Sequence, residues 1–322
     1  MAAAKPLSPI IPAVLLAASL AAPARTAAAP KDFDQFWGKV KKELAAVPLE
    51  SKLEPDPAHT DANVACYKVS YLSLGRIRIH ARYCRPMGAG PFPAALISPW
   101  YAQGAIPPPV DPPKRGIAAL WYQARGFDVD QSSYPIENSW YVLSGIEDPK
   151  TFVYRGMVAH ALRGLEFLAS RPEVDAKRLA VMGASQGGGL SLLAAALDRR
   201  VAAAAADFPF LSDWEGSMAR AQPPYAEVKK YISDRPDRRE SVLKTLRYFD
   251  ALNAAPRITA PVLINVGLKD RTCPPEGVKK VFAAVASPDK TLKEYPTADH
   301  TDQGPVRWQA IVDFLTRKLT VR

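Results

Sequence analysis

The sequence predicts an α/β protein with a mostly parallel sheet and helices on both faces. Short apolar runs alternate with helical patterns along most of the chain, and this alternation is typical of parallel strands joined by helices. The apolar run 178–182 leads directly into a glycine-rich turn and a small-residue stretch, which indicates strand, sharp turn and helix. With 322 residues, 48% of them hydrophobic, the chain can bury one large core as a single domain.

Each predicted element follows from a local pattern. Residues 31–46 have apolar side chains at helical spacing behind a charged face, which predicts a first helix. Two strand-like runs then flank Leu74-Gly75-Arg76, and this arrangement predicts a β-hairpin. The apolar residues of 306–315 predict a C-terminal helix. The strands predicted after the hairpin are 94–98, 117–122, 178–182, 201–206 and 261–266.

The pentapeptide Gly183-Ala184-Ser185-Gln186-Gly187 occupies the glycine-rich turn. A serine on a sharp turn between a strand and a helix is the nucleophile elbow of the α/β-hydrolase fold. The glycines avoid a Cβ clash in this strained turn, so the Ser185 hydroxyl should be exposed at the carboxyl edge of the sheet. The alternative is a glycine–serine loop without chemistry, and the strand before it and the helix after it argue against that interpretation.

A serine nucleophile needs a base, and in this fold the partners follow the serine in the order acid, then histidine. The chain has four histidines, at positions 59, 80, 160 and 300, and only His300 lies after Ser185 in the sequence. His300 is therefore the predicted base.

The acid should follow an apolar strand, and Asp270 lies in the loop after the run 261–266. Its expected role is to orient the imidazole ring and to stabilise the imidazolium that forms during catalysis. Asp299 is the alternative acid. Because Asp299 is adjacent to His300 in sequence, it would have to fold back to reach the ring.

The other three histidines predict no metal site. His59 lies in a loop rich in Pro and Asp, His160 lies in a helical stretch, and neither has companions at the spacing of metal ligands. His80 takes the polar face of a predicted strand, where a solvated side chain is expected. We therefore expect no metal and no organic cofactor.

A long insertion interrupts the predicted sheet. Residues 207–256 separate two strands and show helical patterns at 225–231 and 238–253. We expect this insertion to cap the active site within a hydrolase domain that spans residues 30–322.

Residues 1–29 differ from the rest of the chain. They combine Lys5, an apolar region over residues 10–20 and an alanine run before Pro30, which predicts a secretory signal peptide. The apolar region is too short to span a bilayer and is broken by Pro12, so we expect no integral membrane segment after signal removal. A secreted or periplasmic location follows from this prediction.

The chain is basic, with a formal net charge of +10. Its Lys and Arg residues are scattered and form no long run interleaved with aromatic residues, so we interpret them as solvated faces and expect no nucleic-acid partner.

Three cysteines occur in this chain, for which we expect export. Cys66 and Cys84 are each nine residues from Gly75, so the predicted hairpin would place them opposite one another. A cross-strand disulfide and two buried free thiols are both compatible with this pattern. Cys273 is expected to pack near the site as a free thiol.

Taken together, these residues resemble carbohydrate esterase family 7, the acetyl xylan esterases and cephalosporin C deacetylases, over about residues 32–318. The shared stretches are Asp32-Phe33-Asp34-Gln35-Phe36-Trp37, Arg125-Gly126, Asp148-Pro149-Lys150-Thr151, Ser185-Gln186-Gly187-Gly188-Gly189-Leu190, Pro209-Phe210-Leu211, Tyr248-Phe249-Asp250, Gly267-Leu268-Lys269-Asp270 and Cys273-Pro274-Pro275.

This resemblance implies a serine esterase that removes acetyl or other short acyl groups from sugar hydroxyls or related alcohols. It assigns the family triad to Ser185, Asp270 and His300, in agreement with the chain-order argument. It also implies an oxyanion hole formed by the backbone N–H groups of Tyr101 and Gln186. The expected partner is a small acetylated carbohydrate or another short-chain ester.

Other site residues are also suggested by the resemblance. Pro224 corresponds to a proline that narrows the family's acyl pocket. Trp100 departs from the family pattern and adds bulk near the oxyanion loop, while Phe127 and Thr301 replace residues of two family motifs. These departures predict an outlying member. The family forms hexamers, so a homo-oligomer is one expectation, although the segment 128–147 that helps build the hexamer is shortened here.

Two other functions are compatible with a hydrolase-like fold. An exported serine peptidase or aminoacyl hydrolase of the prolyl-oligopeptidase type could use the same fold and triad. We see no gating domain and no acidic pair to hold a peptide amino terminus, which argues against it. A catalytically silent carbohydrate-binding protein is disfavoured by the ordered Ser, Asp and His.

Overall fold

The computed structural model describes residues 29–101, 105–123, 141–302 and 304–320. Almost all of the predicted signal peptide, and the family-motif position Phe127, lie outside these ranges. Within them, nine strands form one sheet in the order β1-β2-β3-β5-β4-β6-β7-β8-β9. The strands are β1 (Lys52–Pro55), β2 (Val64–Leu72), β3 (Arg78–Pro86), β4 (Phe92–Ser98), β5 (Ala118–Tyr122), β6 (Val174–Ala184), β7 (Val201–Asp207), β8 (Val262–Gly267) and β9 (Lys290–Tyr295).

The sheet has an antiparallel part and a parallel part. Strand β2 pairs antiparallel with both β1 and β3, and β3 also pairs antiparallel with β5. From β5 to β9 every neighbouring pair is parallel. The predicted α/β-hydrolase class, with a mostly parallel sheet, is confirmed. Because parallel strands share one carboxyl edge, the residues that end β4, β6, β7 and β8 lie near each other.

Helices cover both faces of the sheet. Neighbouring residues of one strand contribute to opposite layers: Leu96 belongs to the larger core cluster, whereas Ile97 packs in the smaller cluster with α9, as the period of two in a strand requires. The helices are α1 (Phe33–Ala45), α2 (Val153–Ala169), α3 (Gln186–Leu197), α4 (Trp214–Met218), α5 (Tyr225–Asp234), α6 (Arg239–Leu246), α7 (Ala251–Ala254), α8 (Pro275–Ala284) and α9 (Pro305–Thr320). In the described ranges, no helix is long and apolar enough to span a membrane.

The prediction of one helix over residues 238–253 is wrong, because the structure has two separate helices there, α6 and α7. Helix α6 ends at Leu246, and Asp250 caps the short α7 by accepting a hydrogen bond from the Leu252 N–H. The same carboxylate accepts hydrogen bonds from the backbone N–H groups of Asp213 and Trp214. These long-range contacts hold Asp250 in an extended conformation that breaks the helix.

The edge strands β1 and β9 were not predicted. In β9 every residue is exposed or half-buried, with lysines and a glutamate among them. Edge strands need only one paired side and one packed face, so their sequences lack the continuous apolar runs of the central strands.

The hairpin β2–β3 forms as predicted and places Cys66 directly opposite Cys84. The two cysteines form a disulfide across the pair. Tertiary pairing thus resolves the choice between a disulfide and two free thiols, while Cys273 is free and buried.

Candidate active site

Ser185 lies on a strained turn between β6 and α3. Its backbone has φ 53° and ψ −119°, in the region that residues with a side chain rarely adopt. A Cβ at Gly183 would approach the Gly187 carbonyl carbon to 2.5 Å, and one at Gly187 would approach the Ser98 carbonyl oxygen to 2.2 Å. Only glycine fits these two positions, so the Gly-x-Ser-x-Gly spacing is a packing requirement of the turn.

Hydrogen bonds from neighbouring strands stabilise this turn. The Ser185 N–H donates to the Asp207 carbonyl at 2.8 Å, and the Ser185 carbonyl accepts from the Phe210 N–H at 2.9 Å. The turn is thereby tied to the end of β7, which offsets the cost of its backbone conformation.

The predicted nucleophile, base and acid come together at the carboxyl edge of the sheet. His300 Nε2 lies 3.0 Å from Ser185 Oγ, and His300 Nδ1 lies 2.8 Å from Asp270 Oδ2. Ser185 and Asp270 are buried, whereas the His300 side chain is 19% exposed. This is the geometry that a serine, a general base and its orienting carboxylate require.

Asp270 is held in place by its own loop. Its Oδ1 accepts hydrogen bonds from the backbone N–H groups of Thr272 and Cys273, both at 2.8 Å, which leaves Oδ2 directed at His300. The alternative acid, Asp299, instead accepts from the N–H groups of Thr301 and Asp302. The hydrogen bonds from Thr301 hold the pKa of Asp299 below its ordinary value.

Cys273 lies beside this site as expected, and burial raises the pKa of its thiol well above the ordinary value. Asp270, Cys273 and His300 offer ligand atoms within 4.8 Å of one another, which is a spacing compatible with a metal ion. Both carboxylate oxygens already accept hydrogen bonds and His300 Nε2 contacts Ser185. The arrangement therefore fits a hydrogen-bonded triad better than a metal centre.

A second buried carboxylate supports the site, and the sequence analysis did not identify it. Arg307 Nε lies 3.2 Å from both oxygens of Asp207, and Asn265 Nδ2 donates to Asp207 Oδ1 at 2.9 Å. Burial raises the pKa of Asp207, although the adjacent Arg307 acts in the opposite direction. The sequence position of Asp207 could have identified it, because Asp207 is the last residue of an apolar strand and Asp270 likewise follows one.

The Gln186 side chain connects three segments around the predicted oxyanion loop. Its Oε1 accepts from the hydroxyls of Tyr141 and Tyr154, both at 2.8 Å, and its Nε2 contacts the carbonyls of Pro99 and Trp100 at 3.4 Å. This network braces the chain that precedes Tyr101.

Tyr101 is anchored by its side chain. Its ring stacks on Tyr141 with the centroids 4.0 Å apart, and its hydroxyl accepts from the Val142 N–H at 3.2 Å. Residues 102–104, which follow it, lie outside the described ranges. Tyr101 and Gln186 thus lie on adjoining segments, and their oxyanion role remains a prediction.

The remaining predicted residues, Trp100 and Pro224, lie on two different segments of the chain. Trp100 is exposed and lines a cavity at the end of β4. Pro224 is buried at the start of α5 in the insertion. The Gln222 N–H donates to the Arg271 carbonyl at 2.7 Å, which places this part of the insertion beside the Asp270 loop. Their roles toward a substrate remain predictions.

Comparison with known proteins identifies acetyl esterases as relatives of this chain. The family profile for acetyl xylan esterase (AXE1) matches residues 19–318. Acetyl esterase Axe7A of Xylanibacter ruminicola is 28% identical over 298 residues, a match that covers 87% of this chain and 66% of that protein. The chain thus spans slightly less than two thirds of the length of this curated relative.

Solved structures with a similar fold include two acetyl xylan esterases. The enzyme from Paenibacillus sp. R4 superposes with a TM-score of 0.84 at 32% identity, covering 90% of this chain and 96% of that one. Acetyl xylan esterase 1 from Thermoanaerobacterium sp. JW/SL YS485 has a TM-score of 0.82 at 27% identity, covering 91% and 95%. An acylaminoacyl peptidase of Pyrococcus horikoshii shares the fold alone, with a TM-score of 0.59 at 18% identity over 88% of this chain and 43% of that one.

Proposed function

Since this chain belongs to the acetyl xylan esterase family, a family of carboxylic ester hydrolases, we propose that it removes acetyl or other short acyl groups from sugar hydroxyls. The observation that supports this most directly is the continuous contact from Ser185 through His300 to Asp270. Such a contact activates a serine for acyl transfer and needs no cofactor.

The proposed reaction begins when Ser185 Oγ attacks the ester carbonyl carbon and His300 Nε2 accepts the serine proton. Asp270 holds Nδ1 and stabilises the resulting imidazolium. The tetrahedral intermediate collapses, the bond to the alkoxy oxygen breaks, and His300 donates its proton to the departing alcohol. Water then attacks the acyl-enzyme with His300 again as the base, which releases the carboxylic acid and restores Ser185.

We assign the developing oxyanion to the backbone N–H groups of Tyr101 and Gln186. Two donors directed at this oxygen lower the barrier by about 3 to 4 kcal/mol each. The position of Gln186 at the first residue of α3 supports this role, because the N–H groups of a first helical turn have no partner within the helix.

We also propose that the protein is exported and acts outside the cytoplasm on acetylated carbohydrate. The signal-like pattern of residues 1–29 and the Cys66–Cys84 disulfide support this location, because disulfides persist mainly in oxidising compartments.

The test is hydrolysis of 4-nitrophenyl esters of increasing acyl length, with a peptide anilide as the control substrate and Ser185→Ala as the control variant. We expect acetate to be preferred steeply over butyrate and longer esters, and activity to be lost in the variant. Preference for long chains would contradict the short-acyl assignment. Cleavage of the anilide instead of the esters would indicate a peptidase.

A further inference from the structure

The side-chain amide of Gln186 is buried, and its two ends face different partners. Its Oε1 accepts hydrogen bonds from the hydroxyls of Tyr141 and Tyr154, both at 2.8 Å. Its Nε2 lies 3.4 Å from the carbonyl oxygens of Pro99 and Trp100. Backbone carbonyls can only accept hydrogen bonds, so the nitrogen end of the amide must face them. An ionised glutamate would not fit here, because a carboxylate oxygen would meet two carbonyl oxygens.

The Trp100 carbonyl belongs to the same peptide unit as the Tyr101 N–H. This N–H is one of the two donors that we assign to the oxyanion. A peptide unit is planar and trans, so its C=O and its N–H point in opposite directions. A contact that fixes the direction of the Trp100 carbonyl therefore also fixes the direction of the Tyr101 N–H. Rotation of this peptide would turn the donor away from the oxyanion and would break the contact with Gln186.

A second set of contacts connects Gln186 to the ring of Tyr101. Tyr141, which donates to Gln186 Oε1, stacks on the Tyr101 ring with the centroids 4.0 Å apart. The next residue, Val142, donates its N–H to the Tyr101 hydroxyl at 3.2 Å. Tyr101 is thus held through the peptide that precedes it and through its side chain, and both sets of contacts include Gln186.

The position of Gln186 links these contacts to the nucleophile. Gln186 follows Ser185 directly and begins α3, and its own N–H is the second proposed donor. Its side chain is buried, and both its oxygen and its nitrogen have partners. An oxyanion hole is effective when its donors are oriented before the reaction, because no reorganisation is then needed as charge develops. A buried side chain between the two donors provides that orientation.

We infer that Gln186 acts through its side chain as a positioning residue for the oxyanion hole, by fixing the peptide between Trp100 and Tyr101 so that its N–H faces the ester carbonyl. Tyr141 and Tyr154 hold the amide in this orientation. The inference rests on the proposed esterase function and adds the group that aligns the two donors. The Gln186 side chain thereby has a role that is separate from that of its backbone N–H.

The test compares kcat with the affinity for trifluoroacetone, a ketone to which a nucleophilic serine adds to form a tetrahedral oxyanion. Gln186→Met keeps the backbone N–H and a side chain of similar length, but it removes the polar contacts of the amide. We expect kcat for 4-nitrophenyl acetate to fall about 10- to 100-fold and the Ki of the ketone to rise by the same factor, less than the about 10²- to 10³-fold loss for a deleted donor, because the Tyr101 N–H is misaligned and not removed. The KM should change by less than about twofold, since the contact with the oxyanion forms only in the transition state.

Two more variants test the parts of the network. Gln186→Glu has the same size and keeps an acceptor for the two tyrosine hydroxyls, but its carboxylate faces the carbonyls of Pro99 and Trp100. Its loss of kcat should equal or exceed that of Gln186→Met. Tyr154→Phe removes one hydrogen bond to Gln186 Oε1 and should lower kcat about three- to tenfold, with a matching rise in Ki.

Tyr83→Phe is the matched control. It also removes a buried tyrosine hydroxyl with a hydrogen bond, but that group donates to Glu173 at 3.1 Å, just before β6 and at the opposite end of this strand from Ser185. Both kcat and Ki should stay unchanged in this variant.

The Ki separates alignment from folding, because a smaller folded fraction lowers kcat but leaves Ki the same. The inference is overturned if Gln186→Met keeps the wild-type kcat and Ki, or if its kcat falls while its Ki does not change. It is also overturned if Tyr83→Phe raises Ki as much as the Gln186 variants do.

This inference and the proposed function fail in different ways. If the wild type hydrolyses 4-nitrophenyl acetate and is inhibited by the ketone, unchanged values in the Gln186 variants would remove the positioning role and leave the esterase. If the wild type hydrolyses no short-chain ester, the esterase function is removed, and the positioning role is removed with it.

Discussion

His300 and His160 each contact a serine hydroxyl, and the two contacts lie in different regions of the protein. At the carboxyl edge of the sheet, His300 Nε2 lies 3.0 Å from Ser185 Oγ. Within the core, His160 on α2 lies 2.7 Å from Ser73 Oγ, near the turn between β2 and β3. By distance alone, the second contact is the shorter one. Their surroundings determine what each contact can do.

The core pair is closed to substrate. Ser73 and His160 are fully buried, and burial lowers the pKa of His160 to about 3. The ring therefore stays neutral at ordinary pH, and Ser73 has an extended backbone. The edge pair has a strained serine, a partly exposed ring and Asp270 at the second ring nitrogen. A serine–histidine contact becomes a catalytic candidate only with access, an orienting acid and a strained turn.

The largest expected effect is the difference in kcat between a variant of His300 and a variant of His160. His300→Ala should lower kcat by at least about 10⁴-fold, because Ser185 loses its base. His160→Gln should leave kcat within about twofold at pH 7, because its contacts are structural. Hydrolysis of 4-nitrophenyl acetate, with folding checked by circular dichroism, measures both. Comparable losses in the two variants would contradict the distinction.

A smaller effect is expected at the acid. Asp270→Asn should lower kcat by about 10³- to 10⁴-fold, because an amide favours the wrong tautomer of His300. Asp299→Asn is the matched control next to the same histidine, and its activity should change by less than about threefold. A large loss at Asp299 with a small one at Asp270 would reverse the assignment.

In the antiparallel part of the sheet, removal of the disulfide should lower the stability of the protein and leave its catalytic activity unchanged. Replacing Cys66 and Cys84 by Ala removes a crosslink between residues 18 apart in sequence. Loss of its loop-closure entropy should lower the free energy of unfolding by about 3 kcal/mol. Urea denaturation measures this effect, and a reducing agent should destabilise the wild type while leaving the double variant unaffected. An unchanged midpoint would show that the crosslink adds no stability.

The smallest effect concerns the pH dependence of the core histidine. Burial lowers the pKa of His160 to about 3, against about 6.5 in an unfolded chain. Below pH 6.5 His160 therefore binds a proton in the unfolded state but not in the native state. The free energy of unfolding consequently decreases as the pH decreases. Between pH 7 and pH 5 this amounts to about 2 kcal/mol.

His160→Gln should remove this slope. The free energy of unfolding, measured in urea at pH 7, 6 and 5, should decline less in the variant than in the wild type. Parallel curves for the two proteins would contradict this prediction, because they would mean that His160 binds protons equally in the native and unfolded states.

Much of the fold could be predicted from the sequence, because it depends on local patterns. The central strands and the first and last helices follow from apolar periodicity. Ser185 follows from a turn that only glycine can flank, as the 2.2 Å approach to Ser98 shows. The edge strands escaped prediction because they lack continuous apolar runs.

The partners of Ser185 were also predicted from chain order, since His300 is the last of four histidines and Asp270 follows a buried strand. The structure places both in contact with each other and His300 in contact with Ser185. Their catalytic roles stay predictions until the variants are measured.

Only the tertiary structure decided which distant residues meet. Asp207 and Arg307 are 100 positions apart, and Trp121 and Trp308 are separated by even more of the chain, yet each pair is in contact. The sequence by itself determined the order of elements and the nucleophile turn, because both arise from neighbouring residues. The Cys66–Cys84 disulfide, the contact of Asp207 with Arg307 and the stacking of Trp121 on Trp308 arise from strand order and helix packing, which no local pattern specifies.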